Sequence, residues 1–324
     1  MRKVWLFVAT LCSLVNSSCR GQEHRASTQS SFPNVHLQIG AKAGGNTFRI
    51  GEAIRLDLLF TASGPPQLNV LHGFNRRHET LDNVAVEPSS GWEDPLADFY
   101  RLCPPYSMGG MLDDRLLSSD PEKIPLILNE LIRFESPGDY IITVDSRRVT
   151  SVHGSRNSEQ SIVKSDKFRL HIVPASKDWQ SRTLDDALRV LNSAEGMSRG
   201  QIELRGDAID SMRFLGTDEA AQAMARLLAS EYFSAQLLDG LVGSPARETV
   251  AREMRRLLVD PHFPVVREFP CALSIVENPA AARAGAVALQ SQIAASLREE
   301  LRAVLKYKIG QAQKISSVTV DRMR

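Results

Sequence analysis

The stretch "GWEDPLADFY", residues 91 to 100, gathers Trp92, Glu93, Asp94, Asp98, Phe99 and Tyr100 into one short run of a chain whose aromatic content is only 6%. Three kinds of chemistry fit such a set. Glycoside hydrolysis needs two carboxylates on opposite sides of the scissile bond, roles that Glu93 and Asp98 fill only if the fold separates them. Carboxylates this close in sequence converge more naturally on a cation such as calcium, with the aromatics completing a sugar or cation pocket. The third role is structural: Asp94 before Pro95 caps a local turn while the aromatic rings pin the loop to the protein. The expectation taken forward is that the aromatics hold the loop in place and that the carboxylates are not catalytic. Ligand binding by Trp92, Glu93, Asp94, Asp98, Phe99 and Tyr100 is its alternative.

Other reactive patterns are few. "GAKAGGN" from Gly40 lacks the spacing and the lysine-hydroxyl ending of a phosphate loop. No G-x-S-x-G, H-E-x-x-H or paired C-x-x-C occurs, which removes the usual serine hydrolase, zinc protease and zinc-finger signatures. His72, His78 and Glu79 offer ligand atoms at a spacing that suits neither one helix face nor a strand pair, so they read as a solvated hairpin and no metal site. His36 and His171 alternate with apolar strand residues and should face solvent. No catalytic residue, cofactor or metal is expected.

Charge and address narrow the class further. Lys plus Arg number 39 against 38 Asp plus Glu, a net charge of +1, too little for the electrostatic footprint of a nucleic-acid binder. The run "AREMRR" presents cations that suit an acidic partner or a solvated face. Arg2 and Lys3, an apolar run from Val4 to Val15 and small polar residues thereafter have the layout of a secretory signal over residues 1–18, and the run is shorter than the roughly 20 residues that span a bilayer. Ser17, Ser18 and Cys19 resemble a bacterial lipobox in which Asn16 replaces the usual leucine, leaving two alternatives, a lipid anchor at Cys19 or simple secretion. The expected location is the periplasm, outer envelope or exterior. Cys103 and Cys271 are too few for a disulfide framework, though one bridge between domains is open to them.

The elements that must position the 91–100 stretch fall into two regimes. Residues 19–33 are polar and read as a flexible tether. From Val35 the apolar period is two: Val35, Leu37 and Ile39, then Ile54, Leu56, Leu58 and Phe60, then Leu68 to Leu71, Val84 to Val86, Ile124 to Phe134, "YIITVDSRRV" and "KFRLHIV". About seven strands with turns between them predict an antiparallel β-sandwich over residues 34–174, carrying a long insertion at 88–121. Within it "SPGDYIITV" resembles the entry to the penultimate strand of immunoglobulin-like domains. That resemblance implies that Tyr140 fills a corner of the sandwich, and it implies a fold rather than a function.

Beyond Pro174 the period becomes helical. "SRTLDDALRVL" offers a capping box at Thr183 and Asp186, and "FLGTDEAAQAMARLL" and "LVGSPARETVAREMRRLL" echo each other. In each echo a glycine, Gly216 or Gly243, closes one helix and Thr217 or Ser244 caps the next, with Pro245 at a first helical position. A third echo at Asn278-Pro279 leads into an amphipathic pattern at Ile293, Leu297, Leu301 and Leu305. The recurring pairs resemble HEAT and armadillo solenoids over residues 178–310, with an irregular helical bundle as the alternative because the spacings of 27 and 34 residues are shorter than a standard unit. Residues 311–324 form a basic tail. The fold expected is thus two-domain α+β with independently folding halves. The function expected is an exported, non-catalytic binding or scaffolding protein with a protein partner, or alternatively a carbohydrate-active or calcium-dependent carbohydrate-binding protein using the Trp92 loop.

Overall fold

The computed structural model describes residues 32, 34–42, 44–73, 81–103, 113–151, 162–193, 198–228, 233–260, 263 and 268–283. The expected signal, most of the tether, Cys19, His78, Glu79, the amphipathic pattern from Ile293 to Leu305 and the basic tail lie outside them. In chain order the elements are β1 (Val35–Ala41), β2 (Thr47–Arg49), β3 (Arg55–Ala62), β4 (Leu68–His72), β5 (Asp82–Glu87), β6 (Trp92–Glu93), α1 (Ala97–Leu102), β7 (Asp113–Leu116), β8 (Glu122–Ile127), β9 (Arg133–Phe134), β10 (Gly138–Ser146), β11 (Val149–Ser151), β12 (Val163–Lys164) and β13 (Phe168–Val173). Helices follow: α2 (Lys177–Ser193), α3 (Arg199–Arg213), α4 (Asp218–Leu227), α5 (Ser234–Gly243), α6 (Arg247–Val259), α7 (Phe269–Glu277) and α8 (Pro279–Arg283). The chain is therefore a mixed α+β protein, with strands in residues 35–173 and helices in 177–283. Among the described residues no helix is long and apolar enough to cross a membrane.

Alternation along the strands decides what the β half buries. On β3, Leu56, Leu58 and Phe60 point inward, and on β10 Tyr140, Ile142 and Val144 do, because successive side chains of a strand take opposite faces. β1, β3 and β8 form one antiparallel sheet. β10 lies at the centre of another, with β5 on one edge and β13 and β12 on the other, and β2 joins β13 in parallel. A third sheet pairs β4 with β11 and the fully exposed β7, and the inward residues of β4 and β11 share a single apolar core with those of the first two. The period-two reading fails within "YIITVDSRRV", which is split at Arg147 and Arg148 between β10 and β11 of different sheets, and again between Ile124 and Phe134. There a 3₁₀ turn at Leu128–Glu130 interrupts the strand, and the buried Asn129 accepts a 2.6 Å hydrogen bond from the Ile54 amide. A side chain that satisfies a neighbouring strand's N–H makes the break tolerable in a buried place.

The helices bury the stripes that their period predicts, including Ala220, Ala221 and Met224 on α4 and Val250, Met254, Leu257 and Leu258 on α6. Each leucine so covered contributes about 1.5–3 kcal/mol of transfer free energy. Their boundaries bear out one cap and move two. Gly216 is left-handed at φ 69°, and Thr217 caps α4 by accepting from the Ala220 amide at 3.2 Å. By contrast α2 starts six residues before Thr183: Ser176 accepts from the Trp179 amide, and Thr183 sits inside the helix donating to the Trp179 carbonyl. Gly243 stays within α5, and Ser244 accepts from the Ala246 amide, so Pro245 precedes α6 instead of opening it. Pro245 has a different contact, since a Cβ at Gly216 would stand 2.9 Å from its ring. Helix α3, which the sequence pattern did not delimit, opens with a complete capping box between Ser198 and Gln201.

Candidate functional site

The 88–121 insertion leaves the β half, enters the helical half and returns. Its first anchor is local. Trp92 on β6 pairs with Phe134 on β9, is half-buried against the β core, and donates its indole N–H to the Pro88 carbonyl at 2.9 Å. Asp94 Oδ1 then accepts from the Leu96 amide at 3.0 Å, closing the turn before Pro95 as the sequence suggests. The chain that follows belongs to the other core: Leu96, Phe99 and Cys103 are buried among the helical residues, with Tyr100 and Leu102 packed beside them.

Tyr100 and the three carboxylates have partners within the chain. Tyr100 donates to Asp239 Oδ2 at 3.0 Å, and its ring meets Phe99 edge-on at 5.4 Å. Burial first, and the Asp239 carboxylate second, push its phenol above the usual tyrosine range, so it remains a donor. Glu93 accepts from Arg133 through Oε1, while Oε2 stands 3.7 Å from Arg283. Arg133 also donates to the carbonyl of Gly243 at the end of α5. Asp98 pairs with Arg101 at 2.6 Å, and Arg101 donates to the Ala282 carbonyl. Glu93 and Asp98 both act on Arg247, whose guanidinium is held below its ordinary pKa by burial and then by Arg133. Glu93 and Asp98 thus pair with separate guanidinium groups of the same chain, while Asp94 is held by a backbone amide.

A covalent bond closes the insertion onto the helices. Cys103, the residue after α1, forms a disulfide with Cys271 on α7 across 168 residues of sequence, their Cα atoms 6.0 Å apart. α1 packs on α7 and α8. Further along the seam, Arg55 of β3 pairs with Asp207 at 3.1 Å and Asp210 at 3.5 Å, and Arg213 pairs with Glu130 at 3.1 Å and Asp210 at 3.2 Å. Arg213 is almost wholly buried. Burial opposes its charge, but Glu130, Asp210 and Asp239 outweigh that and keep it protonated. Burial raises Asp210 above the usual carboxylate range against the pull of Arg213 and Arg55. At Gly51, φ 82°, a Cβ would stand 3.1 Å from the carbonyl oxygens of Phe214 and Leu215, so the two halves meet there backbone to backbone.

Between these contacts lies a cavity of about 30 Å³, lined among others by Arg49, Leu96, Asn129, Arg133, Arg213 and Asp239. It has room for roughly two waters. Among the described residues no group of three or more His, Cys, Asp or Glu side chains is placed to hold a metal ion. His72 lies on β4 with Nε2 3.0 Å from Glu122 Oε1, in a geometry that makes no hydrogen bond. His36 and His171 are exposed and pair with Asp166 and Asp139.

Sequence reading singled out none of Arg55, Arg133, Arg148 or Arg213. Arg148 is the largest fully buried side chain of the β half, donating to Asp82 at 2.7 Å and to the Leu71 carbonyl at 2.9 Å. The one available signal was a cation inside a β pattern, "RRV" in "YIITVDSRRV", which ordinarily means a solvated position. No family model, no curated protein and no solved structure matches this chain.

Proposed function

We propose that this chain is an exported, non-catalytic binding or scaffolding protein of the cell envelope, in which an immunoglobulin-like β-sandwich and a HEAT-like helical array are clamped into one body and engage a protein partner. The carrying observation is that Glu93, Asp94 and Asp98, the residues best suited to chemistry, are each engaged by a group of the chain itself. Glu93 and Asp98 have their charge balanced by guanidinium groups of the chain and Asp94 closes a turn, which favours a structural role over acid catalysis or calcium binding. The disulfide supports the export, because such bonds persist in oxidising compartments. Tyr140 supports the immunoglobulin-like reading: it is buried, and its hydroxyl reaches the Ser136 carbonyl four residues upstream at 2.9 Å. For the HEAT-like reading, the support is the Thr217-capped α4 packed against α5 and α6, with α7 covering both α5 and α6. A lipid anchor at Cys19 and simple secretion are the two proposed routes, and the intact mass of the mature chain distinguishes them.

The test is affinity capture of a partner from envelope extract, repeated with Glu93→Gln and Asp98→Asn, alongside calorimetric titration with calcium and with oligosaccharides. Capture that survives both substitutions, with no heat from calcium or sugar, is the expected result. Saturable calcium or sugar binding that either substitution abolishes would make the Trp92 loop a ligand site and overturn the proposal.

A further inference from the structure

The insertion is fastened unevenly, and its fastening at one end is chemically reversible. At the N-terminal end of α1, Leu96 and Phe99 are 3% and 2% exposed in the helical core, and Tyr100 is bonded to Asp239. At the C-terminal end stand the Cys103–Cys271 bond, the half-buried Leu102, and Arg101 on the Ala282 carbonyl, its side chain 46% exposed. A helix of six residues is too short to persist without tertiary contacts.

We propose that the Cys103–Cys271 disulfide is a redox-controlled latch: reducing it frees the C-terminal end of α1 from α7 and α8 while the β core and the body of the helical core stay folded. Among the described residues the β core contains no cysteine; in the helical core Cys103 is a buried member and Cys271 packs against it, so the bond joins α1 to α7 there. Cys103 is 7% exposed and Cys271 is half-buried, so the more open residue, Cys271, is the one assigned to the incoming thiolate. With a dithiol reductant, attack at Cys271 Sγ breaks the Sγ–Sγ bond and expels Cys103 as a thiolate, which takes up a proton. The second thiol of the reductant then displaces Cys271, leaving two protein thiols and the reductant's own disulfide. A disulfide oxidant reverses the sequence and closes the latch.

Hydrogen exchange on the full chain tests this in three states: oxidised, reduced in place with dithiothreitol, and reoxidised with glutathione disulfide. The Cys103→Ser/Cys271→Ser double variant serves as a permanently open form. Reduction should speed exchange about tenfold or more in residues 101–103 and 279–283 and leave β3, β10 and α4 unchanged, with slow exchange returning on reoxidation. Unchanged exchange in those two segments, acceleration spread through both cores, or failure to recover on reoxidation would each overturn the latch. Should the double variant fail to fold, the protein reduced in place still decides the matter.

Discussion

Gly91 lays its backbone against the hydroxyl of Tyr140: its carbonyl is 3.2 Å from that oxygen, and a Cβ built on it would stand 2.5 Å away. The glycine is left-handed at φ 84°, so an L side chain there meets both a backbone penalty and a clash. The contact fixes where the insertion leaves the β half, since the Glu135 amide also donates to the Gly91 carbonyl.

Gly91→Ala is expected to cost about 2–4 kcal/mol, adding the left-handed penalty to the overpacking. Tyr140→Phe alone should cost about 1 kcal/mol, the net worth of a hydrogen bond. Removing the hydroxyl also removes the clash, so the double variant should lose clearly less than the sum. Denaturant midpoints of the four proteins check this, and simple additivity would disprove the contact.

Phe99 is buried in the helical core, and Phe99→Ala should cost about 3–5 kcal/mol although the residue comes from an insertion of the β half. Trp92, only half-buried, should cost less. Asp98→Asn should shift stability by under about 1 kcal/mol, because its pair with Arg101 is partly solvated. Glu93→Gln stands apart: it loosens Arg133, whose side chain is 19% exposed, and should cost about 1–2 kcal/mol. Thermal or urea unfolding ranks the four, and a Phe99→Ala protein as stable as the parent would remove the clamp.

Arg148 and Asp82 form an ion pair whose side chains are 1% and 0% exposed. Arg148→Met should destabilise by about 3–5 kcal/mol, because it strands a buried carboxylate. Adding Asp82→Leu should recover most of that loss. A double variant no better than the single would show that the pair is not acting as a unit.

His72 is held below its ordinary pKa of 6.5, first by burial and then by the charge of Arg115, with Arg148 adding to the effect and Glu122 and Asp113 opposing it. The unfolded chain therefore binds the proton more readily than the folded one. Its contribution is fully present above about pH 6.5 and is lost as pH falls from there toward the lowered folded value. Stability of the parent minus that of His72→Gln, measured from pH 8 to pH 5, should decline below about pH 6.5. A flat or rising difference would contradict the direction.

Much of the architecture is written locally. Alternation in "RLDLLF" and the helical stripe in "RETVAREMRRLL" fix strand and helix because each depends on residues a few positions apart, and the change of regime near Pro174 marks the passage from strands to helices. Asp94 could be read as a turn former for the same reason, since its partner Leu96 is two residues away. At Thr183 and Pro245 the boundary lies elsewhere because other local hydroxyls, Ser176 and Ser244, accept from the Trp179 and Ala246 amides.

The insertion's loyalties were decided only by the tertiary structure. Glu93 meets Arg133 across 40 residues, Tyr100 meets Asp239 across 139, and Cys103 meets Cys271 across 168. No periodicity reaches that far, because which charge neutralises which, and which core receives Phe99, depends on how two separately patterned halves dock. The sequence alone marked the aromatics of this stretch as candidate anchors, with ligand binding as the alternative. Folding alone decided that Trp92 anchors it to one half and Phe99 to the other, because burying both rings in the two cores removes more apolar surface from water than leaving either in a solvated loop.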